Sequence, residues 1–274
     1  MGVIVIKYLK IIKTVLVLVI VAACSCLFSK SVRGGQISWK DISVIRHACG
    51  GIDGMAYTNS KEALEQSILS GCGAVEIDFR FSSDGVLVCA HDWDDIGLKK
   101  APKAKAFKNH KINGIYTTMT AETALKKLAG TKIFLIVDTK EKDTASVYKE
   151  IDRILSSIKG GTKYKKKVVP QIYSQDEYDI LNEIYSYKRW ILTLYKLKPG
   201  SAAEYKELAE FCKEKGIRTV TIPKNKVTAK RVSYFTDKGI RVATHTVNGE
   251  EEWSRLEGLG VAVFYTDFGR NATD

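Results

Sequence analysis

The chain has 274 residues, 45% hydrophobic and 27% charged, a size and balance that suit one large folded domain and exclude a disordered or low-complexity protein. Its 43 basic and 31 acidic residues leave a net charge of +12, with lysines spread over predicted helix faces and one denser patch at Lys163, Lys165, Lys166 and Lys167. No basic segment is interleaved with aromatic residues, so nucleic acid is not an expected partner; an anionic membrane surface or an anionic substrate remains open.

The N-terminus reads as an address. Lys7, Lys10 and Lys13 precede an apolar run over 14–28, the n-region and h-region pattern of an export signal. Val21-Ala22-Ala23-Cys24 resembles a bacterial lipobox, in which Cys24 is lipidated and becomes the mature N-terminus. The competing reading is an uncleaved anchor helix over 11–28, near the lower length limit for crossing a bilayer. Both readings keep the lysines in the cytosol and place the rest outside, at the cell membrane. Residues 29–40, SKSVRGGQISWK, read as a polar spacer before the folded domain at 41–274. Beyond the signal region an exported chain could pair Cys49, Cys72, Cys89 and Cys212, or bury them as small apolar residues.

A short apolar run over 42–45 ends at Arg46-His47, and Asn59-Ser60 offers a cap for a helix over 61–69 that Gly71 stops. Next comes the stretch 71–93, GCGAVEIDFRFSSDGVLVCAHDW. Its strand alternation sends Glu76, Asp78 and Arg80 to one face and Val75, Ile77 and Phe79 to the other. Asp84-Gly85 makes a hairpin turn, and a second apolar run ends at His91-Asp92. From about 94 to 118 the pattern is lost in a segment containing Lys99, Lys100, Lys103, Lys105 and Lys108, which reads as a surface insertion. A helix over 121–128 follows. Strands over 133–137, 168–173, 190–194, 217–222, 240–244 and 261–265 then alternate with helices over 144–158, 175–185, 202–215, 228–237 and 249–256. Eight strand runs, each but the last followed by a helical run, predict a parallel sheet with right-handed crossovers and the size of a (β/α)8 TIM barrel. A doubly wound sheet would usually offer a glycine-rich phosphate loop after the first strand, where this chain has only Gly50-Gly51.

Such barrels carry their chemistry at the C-terminal ends of the strands, and the polar residues collect there. His47 ends the first strand, Glu76 and Asp78 the second, and Asp138 and Lys140 the third. His91 ends the hairpin strand, Gln171 and Tyr173 the fourth barrel strand, His245 the seventh and Asp267 the eighth. Two carboxylates side by side on a buried strand are costly without a cation. Glu76, Asp78 and Asp138 form an all-oxygen set that suits one divalent cation, Mg²⁺ or Ca²⁺. His47 and His91 can serve as general acid and base, and Lys140 can hold an anionic group beside the cation. Metal, lysine and two histidines together suit phosphodiester cleavage.

These residues resemble the glycerophosphodiester phosphodiesterase family, (β/α)8 enzymes close to phosphatidylinositol-specific phospholipases C. The family's His-Arg-Gly appears as His47-Ala48-Cys49-Gly50, and its Glu-Asn-Thr helix start as Thr58-Asn59-Ser60. Its Glu-x-Asp, Asp-Gly and His-Asp run is intact as Glu76-Ile77-Asp78, Asp84-Gly85 and His91-Asp92. Its Glu-x-Lys becomes Asp138-Thr139-Lys140, its Trp-Thr-Val-Asn becomes His245-Thr246-Val247-Asn248, and its closing Thr-Asp is Thr266-Asp267. The resemblance implies His47 and His91 as the acid and base pair, Glu76, Asp78 and Asp138 as ligands to the cation, and Lys140 as the phosphate holder. It also implies attack on phosphorus by a neighbouring hydroxyl of the alcohol moiety, through a cyclic intermediate that water opens. Ala48 stands where the family places a phosphate-binding arginine, with Arg46 and Arg80 as nearby replacements and Arg80 favoured for sharing the Glu76 face. His245 reads mainly as a packing residue; replacing tryptophan, it removes an apolar wall and could change the alcohol group accepted. Asp92 reads as a turn or supporting residue. The expected substrate is a small-molecule or lipid phosphodiester, with no obligate protein partner evident. The competing functions are a phospholipase C/D-like enzyme on phosphoinositide or lysolipid head groups and a catalytically idle barrel that binds a phosphorylated ligand.

Overall fold

A computed structural model of the chain describes residues 37–270. The expected export segment over 1–28, with Cys24, lies outside the described residues. Among the described residues no helix is long and apolar enough to cross a membrane.

Eight parallel strands form the barrel: β1 (Val44–Arg46), β2 (Ala74–Phe81), β3 (Phe134–Thr139), β4 (Val168–Ile172), β5 (Ile191–Thr193), β6 (Thr219–Thr221), β7 (Arg241–Thr244) and β8 (Val263–Thr266). Each pairs with the next, and β1 pairs with both β8 and β2, which closes the sheet. The crossover helices are α1 (Lys61–Leu69), α2 (Ala121–Leu128), α3 (Thr144–Ser157), α4 (Asp176–Ile184), α5 (Ala202–Lys215), α6 (Ala229–Thr236) and α7 (Glu250–Gly258). Their starts are written in the sequence: Ser60, Thr120, Ser201 and Thr228 each accept a bond from the backbone N–H three residues on, which satisfies an otherwise orphaned donor.

The strands are buried on both faces, as parallel strands must be. Their outward side chains join the helices in the larger core, where Val75, Ile77, Val137, Leu192 and Val242 pack. Their inward side chains form a second core inside the barrel from Ile45, Ala74, Phe134, Ile136, Val169, Ile191, Ala243, Val263 and Tyr265. The same core takes in Trp39, whose ring meets Phe134 edge-on. Of the spacer expected over 29–40, residues 29–36 lie outside the described residues and residues 37–40 join the folded domain. Trp39 is buried beneath the barrel, and the Arg241 guanidinium donates to the carbonyls of Trp39 and Ile42.

The segment 94–118 also differs from expectation. Its lysines are exposed, but Ile96, Phe107, Ile112 and Tyr116 pack with Val88 and Ala90 into a small core of their own. A short helix (Ala104–Asn109) and a two-stranded hairpin (Lys111–Ile112 with Tyr116–Thr117) hold these side chains. The segment sits on the strand Leu87–Cys89, which pairs antiparallel with the far end of β2. Cys49, Cys72, Cys89 and Cys212 are unpaired.

Candidate active site

Inward positions recur every second residue along a strand, and this period builds the site. Below, the inward residues are apolar; one step up, the same faces become polar. Ile45 leads to His47, Ala74 to Glu76 and Asp78, Ile136 to Asp138 and Lys140, Val169 to Gln171 and Tyr173, Ala243 to His245, and Tyr265 to Asp267. Asp78 and Asp138 are register partners on neighbouring strands, and Glu76 lies one step below Asp78 on the same face. Oxygen atoms of Glu76, Asp78 and Asp138 come within 4.8 Å of one another, and the three residues are 1%, 0% and 5% exposed.

Each carboxylate has its own partners. Asn59 and Asp78 are joined twice: Asn59 Nδ2 donates to Asp78 Oδ2 at 2.8 Å, and the Asp78 N–H donates to Asn59 Oδ1 at 3.1 Å. Glu76 Oε2 accepts the Ala48 N–H at 2.7 Å. Tyr173 donates its hydroxyl to Asp138 Oδ1, Gln171 Nε2 donates to Tyr173 at 3.2 Å, and Tyr265 donates to Gln171 Oε1 at 2.8 Å. Lys140 Nζ lies 2.9 Å from Asp78 Oδ1 and 2.8 Å from Asp138 Oδ2. Among the described residues Glu76 Oε1 has no hydrogen-bond partner, and Asp78 Oδ1 has only the charge contact with Lys140.

One ammonium among three buried carboxylates leaves a deficit of positive charge. Burial, with Asp78 and Asp138 beside it, pushes the Glu76 carboxyl well above the usual range. Burial also works against an ionised Asp78, but Lys140, the two histidines and Asn59 outweigh it and hold that carboxyl low. Of the two, Glu76 is the carboxyl whose ionised form most lacks a compensating positive charge. An orphaned carboxylate oxygen within an all-oxygen donor set fits a hard divalent cation.

The two histidines flank this cluster. His47 Nδ1 lies 2.9 Å from Asp267 Oδ1 and its Nε2 4.0 Å from Glu76 Oε2. Asp267 is fixed by Asn248, which donates Nδ2 to Asp267 Oδ2 at 3.0 Å and accepts the Asp267 N–H at 3.0 Å. His91 Nδ1 lies 2.9 Å from Asp95 Oδ2 and 3.2 Å from Asp92 Oδ2. A ring whose Nδ1 is engaged by a carboxylate presents Nε2 to the site. The Tyr57 ring stands between the histidines, its centroid 4.6 Å from His47 and 5.1 Å from His91. His245 Nε2 is buried without a partner.

All seven expected site residues lie at this end of the barrel, and six of them face the cluster. Arg80 turns aside: Nη1 donates to the His91 carbonyl at 2.8 Å and meets Asp92 Oδ1 at 3.3 Å, with the guanidinium over the Trp93 ring. Arg46 borders a separate cleft with Gly50, Ser67 and Phe268. Neither fills the place opposite Ala48, where a backbone N–H meets Glu76. Four further residues enter the site. Asn59 is expected at the start of α1; its left-handed backbone (φ 46°) leaves the cap to Ser60, and its side chain pairs with Asp78. Asp95 sits four residues after His91, a spacing that could have signalled the contact had a turn been foreseen there. Tyr57 and Asn248 arrive through loops and carry no periodic signal.

The glycerophosphoryl diester phosphodiesterase family model matches residues 51–270. No curated protein sequence matches the chain. Among solved structures, a phosphodiesterase from Oleispira antarctica in complex with the product sn-glycerol-3-phosphate is similar at 17% identity and TM-score 0.65, covering 82% of this chain and 93% of that one. A glycerophosphodiester phosphodiesterase from Parabacteroides distasonis is similar at 21% identity and TM-score 0.64, over 83% and 93%. A candidate glycerophosphodiester phosphodiesterase from Galdieria sulphuraria is similar at 14% identity and TM-score 0.68, over 83% and 94%. At these identities the likeness is one of fold, a closed (β/α)8 barrel. The match over 51–270 takes in Glu76, Asp78, His91, Asp138 and Lys140, and it shows that the chain belongs to the glycerophosphoryl diester phosphodiesterase family.

Proposed function

We propose that the protein is an extracytoplasmic, cation-dependent phosphodiesterase that cleaves glycerophosphodiesters to an alcohol and glycerol phosphate with His47 and His91 as its acid and base. The observation that carries this reading is the buried trio Glu76, Asp78 and Asp138, with Glu76 Oε1 unpartnered, between two histidines whose Nδ1 atoms are each held 2.9 Å from a carboxylate. Mg²⁺ or Ca²⁺ held by these three residues would neutralise phosphate charge and stabilise what develops on it. With the carboxylates so engaged, the Lys140 ammonium, now on Asp78 and Asp138, would be available to a phosphate oxygen. The neighbouring glyceryl hydroxyl attacks phosphorus, gaining from its high effective concentration. One histidine takes its proton at Nε2, and the other protonates the departing alkoxide as its bond to phosphorus breaks. Water then opens the cyclic phosphate with the two histidines in exchanged roles, releasing glycerol phosphate.

The purified domain from about residue 36 should release alcohol from glycerophosphodiesters only with added Mg²⁺ or Ca²⁺. His47→Ala and His91→Ala should each abolish release, by at least ~10²-fold. Full turnover in EDTA, or in either variant, rejects the mechanism. A second reading, a barrel that binds a phosphorylated ligand without turning it over, draws on Ala48, which supplies only its backbone N–H at Glu76. No turnover on any glycerophosphodiester, lysolipid or phosphoinositide would favour it. Export rests on Lys7, Lys10, Lys13 and the apolar run after them; mass spectrometry of the mature N-terminus separates lipid on Cys24 from an intact anchor.

A further inference from the structure

We propose that His245 recognises the terminal hydroxyl of the substrate's glyceryl group, the one a carbon beyond the hydroxyl that attacks phosphorus. This rests on the phosphodiesterase reading above and assigns a specificity-determining residue to the glyceryl part of that substrate. The starting point is an accounting of polar atoms. Around the mouth, His47 Nδ1 has Asp267, His91 Nδ1 has Asp95, Asp78 has Asn59, and Asp138 has Tyr173. Glu76 Oε1 is explained by a cation. Two buried atoms remain there without a partner among the described residues, Arg80 Nε, on a guanidinium turned aside to the His91 carbonyl, and His245 Nε2; an unpaired buried polar atom is expensive unless a ligand completes it.

The position of the ring says which part of a ligand that is. His245 continues the inward face of β7 one step above Ala243, so it stands in the same layer as the acid/base residues. Its centroid is 5.9 Å from that of His47, so the two rings border one another at the mouth. Tyr195 at 4.2 Å and Tyr265 at 5.1 Å pack its other sides. The Tyr195 hydroxyl donates to the His245 carbonyl at 2.8 Å and pins the backbone that carries the ring. Burial, with His47 and Lys140 nearby, lowers the imidazole to about 3. The ring is neutral at working pH and offers a hydrogen bond without adding a charge or competing for the reaction's protons. A hydroxyl can either donate to it or accept from it.

The test compares the full wild-type chain with His245→Phe and His245→Gln. One substrate is a glycerophosphodiester; the other carries propane-1,2-diol in place of glycerol, keeping the attacking hydroxyl and lacking the terminal one. Wild type should prefer the glyceryl substrate in kcat/KM by roughly 10- to 100-fold, the discrimination expected of a site left with an unpaired polar group. His245→Phe should bring that ratio to within about 3-fold, by lowering the glyceryl value alone, and His245→Gln should restore part of it. An unchanged ratio in His245→Phe, or an equal fall on both substrates, overturns the proposal. His245→Leu serves the same comparison if the phenyl ring prevents folding. Calorimetric binding of glycerol phosphate and propane-1,2-diol phosphate, with Mg²⁺, separates the two levels. A His245-dependent preference in binding with no turnover of either diester keeps the recognition and sinks the phosphodiesterase reading. No preference in binding sinks the recognition, whatever the turnover.

Discussion

His47 and His91 each hold Nδ1 at 2.9 Å from a carboxylate, yet they belong to different regions. His47 stands at the end of β1, with a side chain 7% exposed, and its partner Asp267 at the end of β8 is only 5% exposed. Neighbouring strands position both. His91 and Asp95 stand beside the insertion, their side chains 29% and 37% exposed, and Asp92 Oδ2 is a second carboxylate at 3.2 Å. The inner pair is desolvated and has one orienting carboxylate; the outer pair is hydrated and has two. Orientation bonds count for more where water cannot substitute for them.

The widest split should come from removing the orienting charge on each side. Asp267→Asn should lower kcat by about 10²- to 10⁴-fold, because it permits the wrong His47 tautomer. Asp95→Asn should cost no more than about 10-fold, since Asp92 and water can take its place. Steady-state kinetics on one glycerophosphodiester reads both, and equal losses would show that exposure does not separate the two regions.

The same contrast explains what could be read in advance. Strand alternation placed Glu76 with Asp78, and Asp138 with Lys140, on inward faces, because a period of two leaves one register compatible with a buried apolar face. The barrel order followed from the alternation of strands and capped helices. Where loops carry the chemistry, that signal ends. Asn59, Tyr57 and Asp95 reach the site through backbone turns that no periodicity announces. The insertion's core was hidden for the same reason: Ile96, Phe107, Ile112 and Tyr116 are scattered among exposed lysines and only a folded hairpin brings them together. Arg80 shares the strand face of Glu76, but it stands at the end of β2 where the hairpin diverges, and the His91 carbonyl captures it.

The inner region can be sharpened through its cation. With no cation bound, Glu76 keeps its proton above the usual range because of burial, Asp78 and Asp138. A carboxyl raised in the folded state contributes stability that is fully present below its unfolded value and is lost as pH rises from there through its folded value. A cation requires the ionised form. The thermal stabilisation given by a fixed concentration of Mg²⁺ or Ca²⁺ should therefore grow as pH rises above the usual carboxylate range. A gain that is flat or falls with pH would show that Glu76 is not displaced from its protonated form. Tyr173→Phe should weaken cation affinity by about 10-fold, since the hydroxyl that donates to Asp138 is lost. The equivalent change in the outer region, Trp93→Phe beneath Arg80, should leave that affinity unaltered.

The smallest expected effect belongs to Arg80, and it is the one that decides how the outer region works. Its Nη1 holds the His91 carbonyl at 2.8 Å and its guanidinium lies 4.6 Å from the Trp93 ring centroid, so it braces the backbone that presents His91. A single bond to a backbone carbonyl contributes on the order of 1 kcal/mol, so Arg80→Met should lower kcat only a few-fold and leave KM within about 2-fold. A phosphate-holding arginine would behave differently. Its loss would raise KM and cost about 10²-fold in kcat/KM, because a charge-assisted bond to the substrate disappears. The KM of Arg80→Met against that of Lys140→Met therefore assigns the phosphate to one side of the mouth. A large rise for lysine and a small one for arginine places substrate binding in the buried region, while the reverse would mean that Arg80 swings inward when substrate arrives and that the insertion takes part in binding.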